Sequence, residues 1–234
     1  MKKVLIYLLL FMTVITISGC DINKDNHQEQ ALRFKEEYES LNGKDNNGKT
    51  FRTVKISKDN PFIYKDAKDI IKMINNKESF IVYFGFAKCP WCRSMIETLI
   101  KVADDYEVDT IYYVDILEIR DILKLDDKNE IITDREGSKD YMKLIKILDN
   151  VLSDYNLKDK DDNSIFTGEK RIYAPNVISI INGKATLLEE GLAENQEDAY
   201  QKLTEDILNE EYEKLSKIME ELKGNNTCST DSKC

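Results

Sequence analysis

The feature that most constrains this chain is a pair of cysteines at a strand-to-helix junction. Cys89-Pro90-Trp91-Cys92 directly follows the apolar run Ser79 to Phe86. A run so continuous reads as a strand covered on both faces. After the motif, Met95, Ile96, Leu99, Ala103 and Tyr106 step at helical spacing, and Thr110 to Val114 reads as a second buried strand. Residues 80–114 therefore read as strand, Cys-x-x-Cys, helix, strand, which is a βαβ unit and places the chain among the α/β folds.

The position of the motif also sets its chemistry. Cys89 would cap the helix, with Pro90 at the first helical position, where its missing N–H costs nothing. Unpaired N–H groups and the helix dipole stabilise a thiolate there, and Lys88 and Arg93 add positive charge nearby. Three residues on, Cys92 lies beside Cys89 but turns inward. Cys89 thus suits attack on a disulfide, and Cys92 suits resolving the mixed disulfide. Trp91 is expected exposed beside the sulfur, as a flat apolar contact for a substrate peptide.

Elsewhere the signals are coarser. Arg52 to Ile56 reads as a short strand and Asp66 to Asn75 as a helix buried through Ile70, Ile71 and Ile74. Ile116 to Leu125 reads as helical. Tyr141, Leu144, Ile145, Leu148, Val151, Leu152 and Tyr155 also step at helical spacing. Asn176 to Ile181 and Ala185 to Leu188 flank Asn182-Gly183, a strong hairpin signal. Tyr200, Leu203, Ile207, Leu208, Tyr212, Leu215, Met219 and Leu222 mark a long closing helix that Gly224 should stop.

The N-terminus reads as an address. Lys2 and Lys3 precede the apolar stretch Val4 to Ile17, which is short for a membrane span and fits a secretory signal. The stretch ends in Ile17-Ser18-Gly19-Cys20 and resembles the bacterial lipoprotein box. That resemblance implies lipidation at Cys20, with residues 1–19 as the signal peptide. Residues 20–50 are polar and read as a tether, with Asn46-Asn47-Gly48 as a turn and Ala31 to Leu41 as a short helix on it. His27 is expected exposed there.

Composition narrows the function. The net charge is -10, which argues against nucleic acid as a partner. His27 is the one histidine, so Ser-His-Asp triads and most histidine metal sites drop out. In an exported chain the cysteines can be oxidised. Besides Cys20 they form two pairs, Cys89 with Cys92 and Cys228 with Cys234. The second pair reads as a tail disulfide or as a shuttle that exchanges with the first. A Cys₄ zinc site is disfavoured by the wide Cys228–Cys234 spacing, so no metal is expected. Asp159, Asp161 and Asn163 imitate half of an EF-hand loop, but Ser164 and Lys170 stand where Gly and Glu are needed.

On these residues the chain resembles the thioredoxin superfamily. Ala174-Pro175-Asn176-Val177-Ile178-Ser179-Ile180-Ile181-Asn182-Gly183-Lys184 looks like the segment that carries the family's cis proline, facing the Cys-x-x-Cys. The resemblance implies a substrate groove shaped by Pro90, Trp91, Ala174 and Pro175, and thiols kept free of metal. It covers roughly residues 51–223. Two departures stand out. Tyr83 occupies the place of the family's buried Asp. The stretch from Cys92 to Pro175 is longer than in a minimal thioredoxin, which implies a helical insertion at about 116–173.

The expectation is therefore an α/β chain, a thioredoxin-like mixed sheet with flanking helices and an insertion, ending in a flexible tail at 224–234. Its expected function is thiol–disulfide exchange through Cys89 and Cys92, on exported protein thiols or disulfides, at the outer face of the bacterial cytoplasmic membrane. It would need no bound cofactor and would trade electrons with a membrane redox partner. The alternative is a non-catalytic thioredoxin-fold lipoprotein that docks on an exporter.

Overall fold

The computed structural model describes residues 21–227. Among them are five helices and a mixed five-stranded sheet, so the chain is α/β. The sheet is built from β3 (Phe62–Tyr64), β4 (Phe80–Gly85), β5 (Ile111–Asp115), β10 (Asn176–Ile181) and β11 (Lys184–Glu189), in the order β11-β10-β4-β5-β3. β3, β4 and β5 run parallel, and β10 is antiparallel to both β4 and β11. Every residue of β4 and β10 is buried, as a central strand with both faces covered requires.

Helices α2 (Ala67–Asn75), α3 (Pro90–Asp105) and α5 (Glu205–Thr227) cover the sheet together with α4 (Lys139–Leu148). α2 starts where the Asp66 carboxylate accepts the N–H of Asp69, and it buries Ile70, Ile71 and Ile74. The β10–β11 hairpin turns through Asn182 and Gly183, both at positive φ (50° and 72°). A Cβ at Gly183 would lie 2.2 Å from the Ile74 carbonyl, so this turn docks on the end of α2 only as glycine.

Residues 21–50, expected as part of a polar tether, carry regular structure. α1 (Asp21–Glu39) is a packed helix with Ala31, Phe34 and Tyr38 fully buried. Phe34 stacks on Phe62 (centroids 4.0 Å) and on Tyr38 (4.5 Å), and meets Tyr113 edge-on at 4.9 Å. This segment looks polar because only a narrow stripe of it faces inward. After α1, the two-residue strands β1 (Asp45–Asn46) and β2 (Lys49–Thr50) close the turn at Asn47-Gly48.

Residues 52–56 form no strand. Side chains take their backbone groups instead: Asn42 accepts from Val54 N and donates to Val54 O, Glu39 accepts from Ile56 N, and Glu97 accepts from Lys55 N.

Residues 116–173, expected as a helical insertion, are not helical as a whole. They hold one helix, α4, between two hairpins: β6 (Ile122–Leu125) with β7 (Ile131–Arg135), and β8 (Ser153–Lys158) with β9 (Ser164–Arg171). The Asp126 carboxylate folds the first turn by accepting the N–H groups of Lys128 and Glu130. α4 stops at Leu148, and Tyr155, which shares its helical spacing, is buried from β8 under the Arg171 guanidinium at 3.9 Å. Asp159 closes the β8–β9 turn by accepting from the N–H groups of Asp161 and Asn163.

α5 begins after Tyr200 and Leu203 and passes through Gly224 to Thr227. An interior glycine costs a helix only about 1 kcal/mol, which does not force a stop. Residues 224–227 therefore belong to α5 rather than to a tail.

α5 also carries a buried carboxyl. Glu211 is fully buried, accepts from the Thr98 hydroxyl of α3 at 2.8 Å, and has its second oxygen unpartnered. Burial raises its pKa to about 7. The folded state therefore holds this proton to higher pH than the unfolded chain does. Stability from this group is full below the unfolded value of 4.5 and declines as pH rises through 7. Glu211→Gln should therefore stabilise the protein by about 2 kcal/mol at pH 8 and by almost nothing near pH 4. Urea titrations at the two pH values check this, and an equal effect at both would sink it.

Candidate active site

The antiparallel register of β4 and β10 builds the site. Phe84 lies opposite Asn176, so the start of β10 sits beside the end of β4. The motif leaves β4 through Phe86-Ala87-Lys88 and meets the segment Ala174-Pro175 there. The Ala174–Pro175 peptide bond is cis. The Asn176 side chain fixes the approach, accepting from Tyr173 N at 2.8 Å and donating to the Pro175 carbonyl at 3.0 Å.

Cys89 is the N-cap of α3, with Pro90 in the first turn. Its sulfur accepts from Cys92 N at 3.1 Å, and its thiol donates to the Ala174 carbonyl at 3.3 Å. Both cysteines are thiols. Cys89 is 5% exposed and Cys92 is sealed. Trp91 is half-buried and packs against the core rather than standing free.

The two thiols titrate in opposite directions. Cys89 lies below the ordinary thiol value. Hydrogen bonding from Cys92 is the main cause; the backbone N–H groups of Cys92 and Trp91 and the Arg120 charge assist, while burial opposes. Cys92 is pushed well above that value, first by burial and then by its neighbour Cys89. The Tyr83 hydroxyl acts on the Cys92 sulfur in the other direction. A proton shared by the pair therefore rests on Cys92 and leaves Cys89 as the thiolate.

Arg93 does not serve the thiolate as expected. It is fully buried, and its guanidinium donates to the carbonyls of Tyr38, Ala87 and Arg52 and to the Asn42 side chain. The cation that acts on Cys89 is Arg120, which lies over the Phe86 ring at 4.8 Å and forms no ion pair among the described residues. Arg120 and Tyr38 escaped the sequence reading as site residues, and Asn176 reads there only as the start of a strand. Arg120 and Tyr38 come from segments remote from the motif, and no local pattern marks them.

A cleft of about 850 Å³ lies elsewhere. It is lined by residues such as Lys101, Asp104 and Glu107, towards the far end of α3 from Cys89. His27, half-buried rather than exposed, lines it too. Among the described residues no group of three or more His, Cys, Asp or Glu is placed to hold a metal, and no helix is long and apolar enough to cross a membrane. Cys20, Cys228 and Cys234 lie outside the described residues.

Neither a scan of protein-family models nor a search of curated proteins finds a match to this chain.

Proposed function

We propose that this chain is a thioredoxin-like thiol–disulfide oxidoreductase of exported proteins, held at the outer face of the bacterial cytoplasmic membrane by a lipid on Cys20. The observation that carries the proposal is the dithiol itself. Cys89 has a lowered pKa and caps a helix, Cys92 is sealed and protonated behind it, and the Ala174 carbonyl before a cis proline faces the attacking sulfur. The sheet order, with three parallel strands and an antiparallel hairpin, supports the thioredoxin-like reading.

The chemistry follows. The Cys89 thiolate attacks one sulfur of a substrate disulfide, and the other sulfur leaves as a thiolate that takes a proton. Cys92 then attacks the Cys89 sulfur of the mixed disulfide. The substrate's second sulfur departs with the proton that Cys92 loses, leaving a Cys89–Cys92 disulfide and a reduced substrate. Run backwards, the same steps oxidise a substrate. Pro90, Trp91, Ala174 and Pro175 form the groove around the sulfur. With Cys20 lipidated, α1 spans roughly 25 Å from Asp21 to Tyr38, so the domain would stand close to the bilayer on a helix rather than swing on a tether.

A stabilised thiolate belongs to the reduced state alone, so it favours reduction of the pair and raises its potential. Equilibrating the full chain in detergent against glutathione, with the Cys89–Cys92 peptides read by mass, tests the proposal. The expected value lies above the thioredoxin value of about -270 mV, towards about -120 mV. A pair that never interconverts would overturn the oxidoreductase reading.

A further inference from the structure

In the buried core that holds Cys92, where the family resemblance implies a carboxylate, the structure has two phenols from separate elements. Tyr83 of β4 and Tyr38 of α1 are both fully buried, and their hydroxyl oxygens are 2.9 Å apart. We propose that Tyr83 donates the hydrogen bond that holds the Cys92 thiolate during the resolving step, and that Tyr38 aims the Tyr83 hydroxyl at the sulfur. This deepens the oxidoreductase reading and rests on it.

Three features place the phenol. First, Tyr83 and Gly85 point to the same face of β4. A Cβ at Gly85 would lie 2.3 Å from the Tyr83 hydroxyl oxygen, so the ring can lie along the strand only over a glycine. Second, the Tyr83 ring is sandwiched in the aromatic cluster, stacked on Tyr113 at 5.4 Å and tilted against Phe62 at 5.7 Å. Third, the α1 end that carries Tyr38 is pinned, because Arg93 donates to the Tyr38 carbonyl at 2.8 Å.

The donor order follows from counting protons. Among the described residues Tyr83 is the one hydrogen-bond partner of the Tyr38 hydroxyl. If Tyr38 donates to Tyr83, the Tyr83 proton is free for the Cys92 sulfur, and both hydroxyls are satisfied. The electrostatics agree: the Tyr83 hydroxyl lowers Cys92, and Tyr38 lowers Tyr83.

A phenol here differs in kind from a carboxylate. Burial keeps Tyr83 and Tyr38 protonated well above the ordinary phenol range, so neither acts as a base. They lend a dipole without adding a like charge beside a thiolate. The Cys92 proton therefore leaves on the departing substrate thiol, and no proton is stored in the protein. The ionisable groups acting on Cys92 are Cys89 of α3, Tyr83 of β4 and Tyr38 of α1; Tyr113 of β5 faces Tyr83, and Arg120 acts through Cys89.

The test is quenched-flow oxidation of the reduced full chain in detergent by glutathione disulfide. Mass spectrometry separates the Cys89–glutathione mixed disulfide from the closed Cys89–Cys92 disulfide. In Tyr83→Phe the mixed disulfide should form at nearly the wild-type rate. Its closure at neutral pH should slow about tenfold, the effect of losing a hydrogen bond to a charged group, and the pH midpoint of closure should rise. Tyr38→Phe keeps Tyr83 and should change closure in the same direction by less. A folded Tyr83→Phe protein that closes at the wild-type rate across the pH range would overturn the proposal. A wild-type chain that forms neither disulfide would overturn the oxidoreductase reading, and this proposal with it.

Discussion

Cys92→Ser is expected to convert a transient intermediate into a product that accumulates. The Cys89 sulfur keeps its backbone donor, because Cys92 N–H belongs to the main chain. Serine also keeps a hydroxyl where the Cys92 side chain donates, which is the largest influence lowering Cys89. Attack should therefore survive. Resolution should not, because the intramolecular nucleophile is gone. Such a nucleophile is worth effective molarities far above any cellular thiol, so turnover should fall by about a thousandfold or more. The variant should carry a disulfide-linked substrate on Cys89, recovered from membranes under non-reducing conditions and mapped by mass spectrometry. Cys89→Ser should carry none, since Cys92 is sealed and protonated. Adducts on Cys92 in that variant would mean the two roles are reversed.

The elements around the motif were legible because their signals are local. The run Phe80–Gly85 is apolar at every position, and only a strand covered on both faces uses such a run. Cys89-Pro90 marks a helix start, and Asn182-Gly183 marks a turn with two positive φ values. What stayed hidden depends on remote partners. Ala31, Phe34 and Tyr38 are three inward positions in a charged segment, and their partners Phe62, Tyr83 and Tyr113 are far along the chain. The hairpin β6–β7 is largely exposed, with Ile131 and Ile132 facing solvent, so it lacks the alternation that identifies a half-buried strand. Arg93 looked like a charge beside a thiolate. Its acceptors are carbonyls at residues 38, 52 and 87, and no spacing rule reveals carbonyls.

The same Arg93 carries the largest expected effect on stability. Its guanidinium is fully buried and makes no ion pair among the described residues. It is satisfied by Tyr38 O at 2.8 Å, Ala87 O at 3.3 Å, Arg52 O at 2.7 Å from Nη2 and 3.1 Å from Nε, and Asn42 Oδ1 at 2.6 Å. These acceptors lie on three separate segments: the end of α1 with the turn after it, the irregular stretch before β3, and the loop that leads into Cys89. Arg93→Met fills much of the volume but leaves the buried carbonyls without a donor. Each orphaned acceptor costs about 1–3 kcal/mol, and the sum should reach about 3–5 kcal/mol once relaxation is allowed for. Arg93→Lys should recover little, because one ammonium cannot reproduce a planar fork that serves three carbonyls. Urea midpoints for the three proteins check the size, and a Met variant as stable as the wild type would contradict it. The damage should also show at the site while the protein is still folded. Ala87 precedes Cys89 by two residues, and Tyr38 is the phenol in contact with Tyr83. Below its melting temperature, Arg93→Met should therefore close the Cys89–Cys92 disulfide more slowly, linking the packing of α1 to the chemistry of the dithiol.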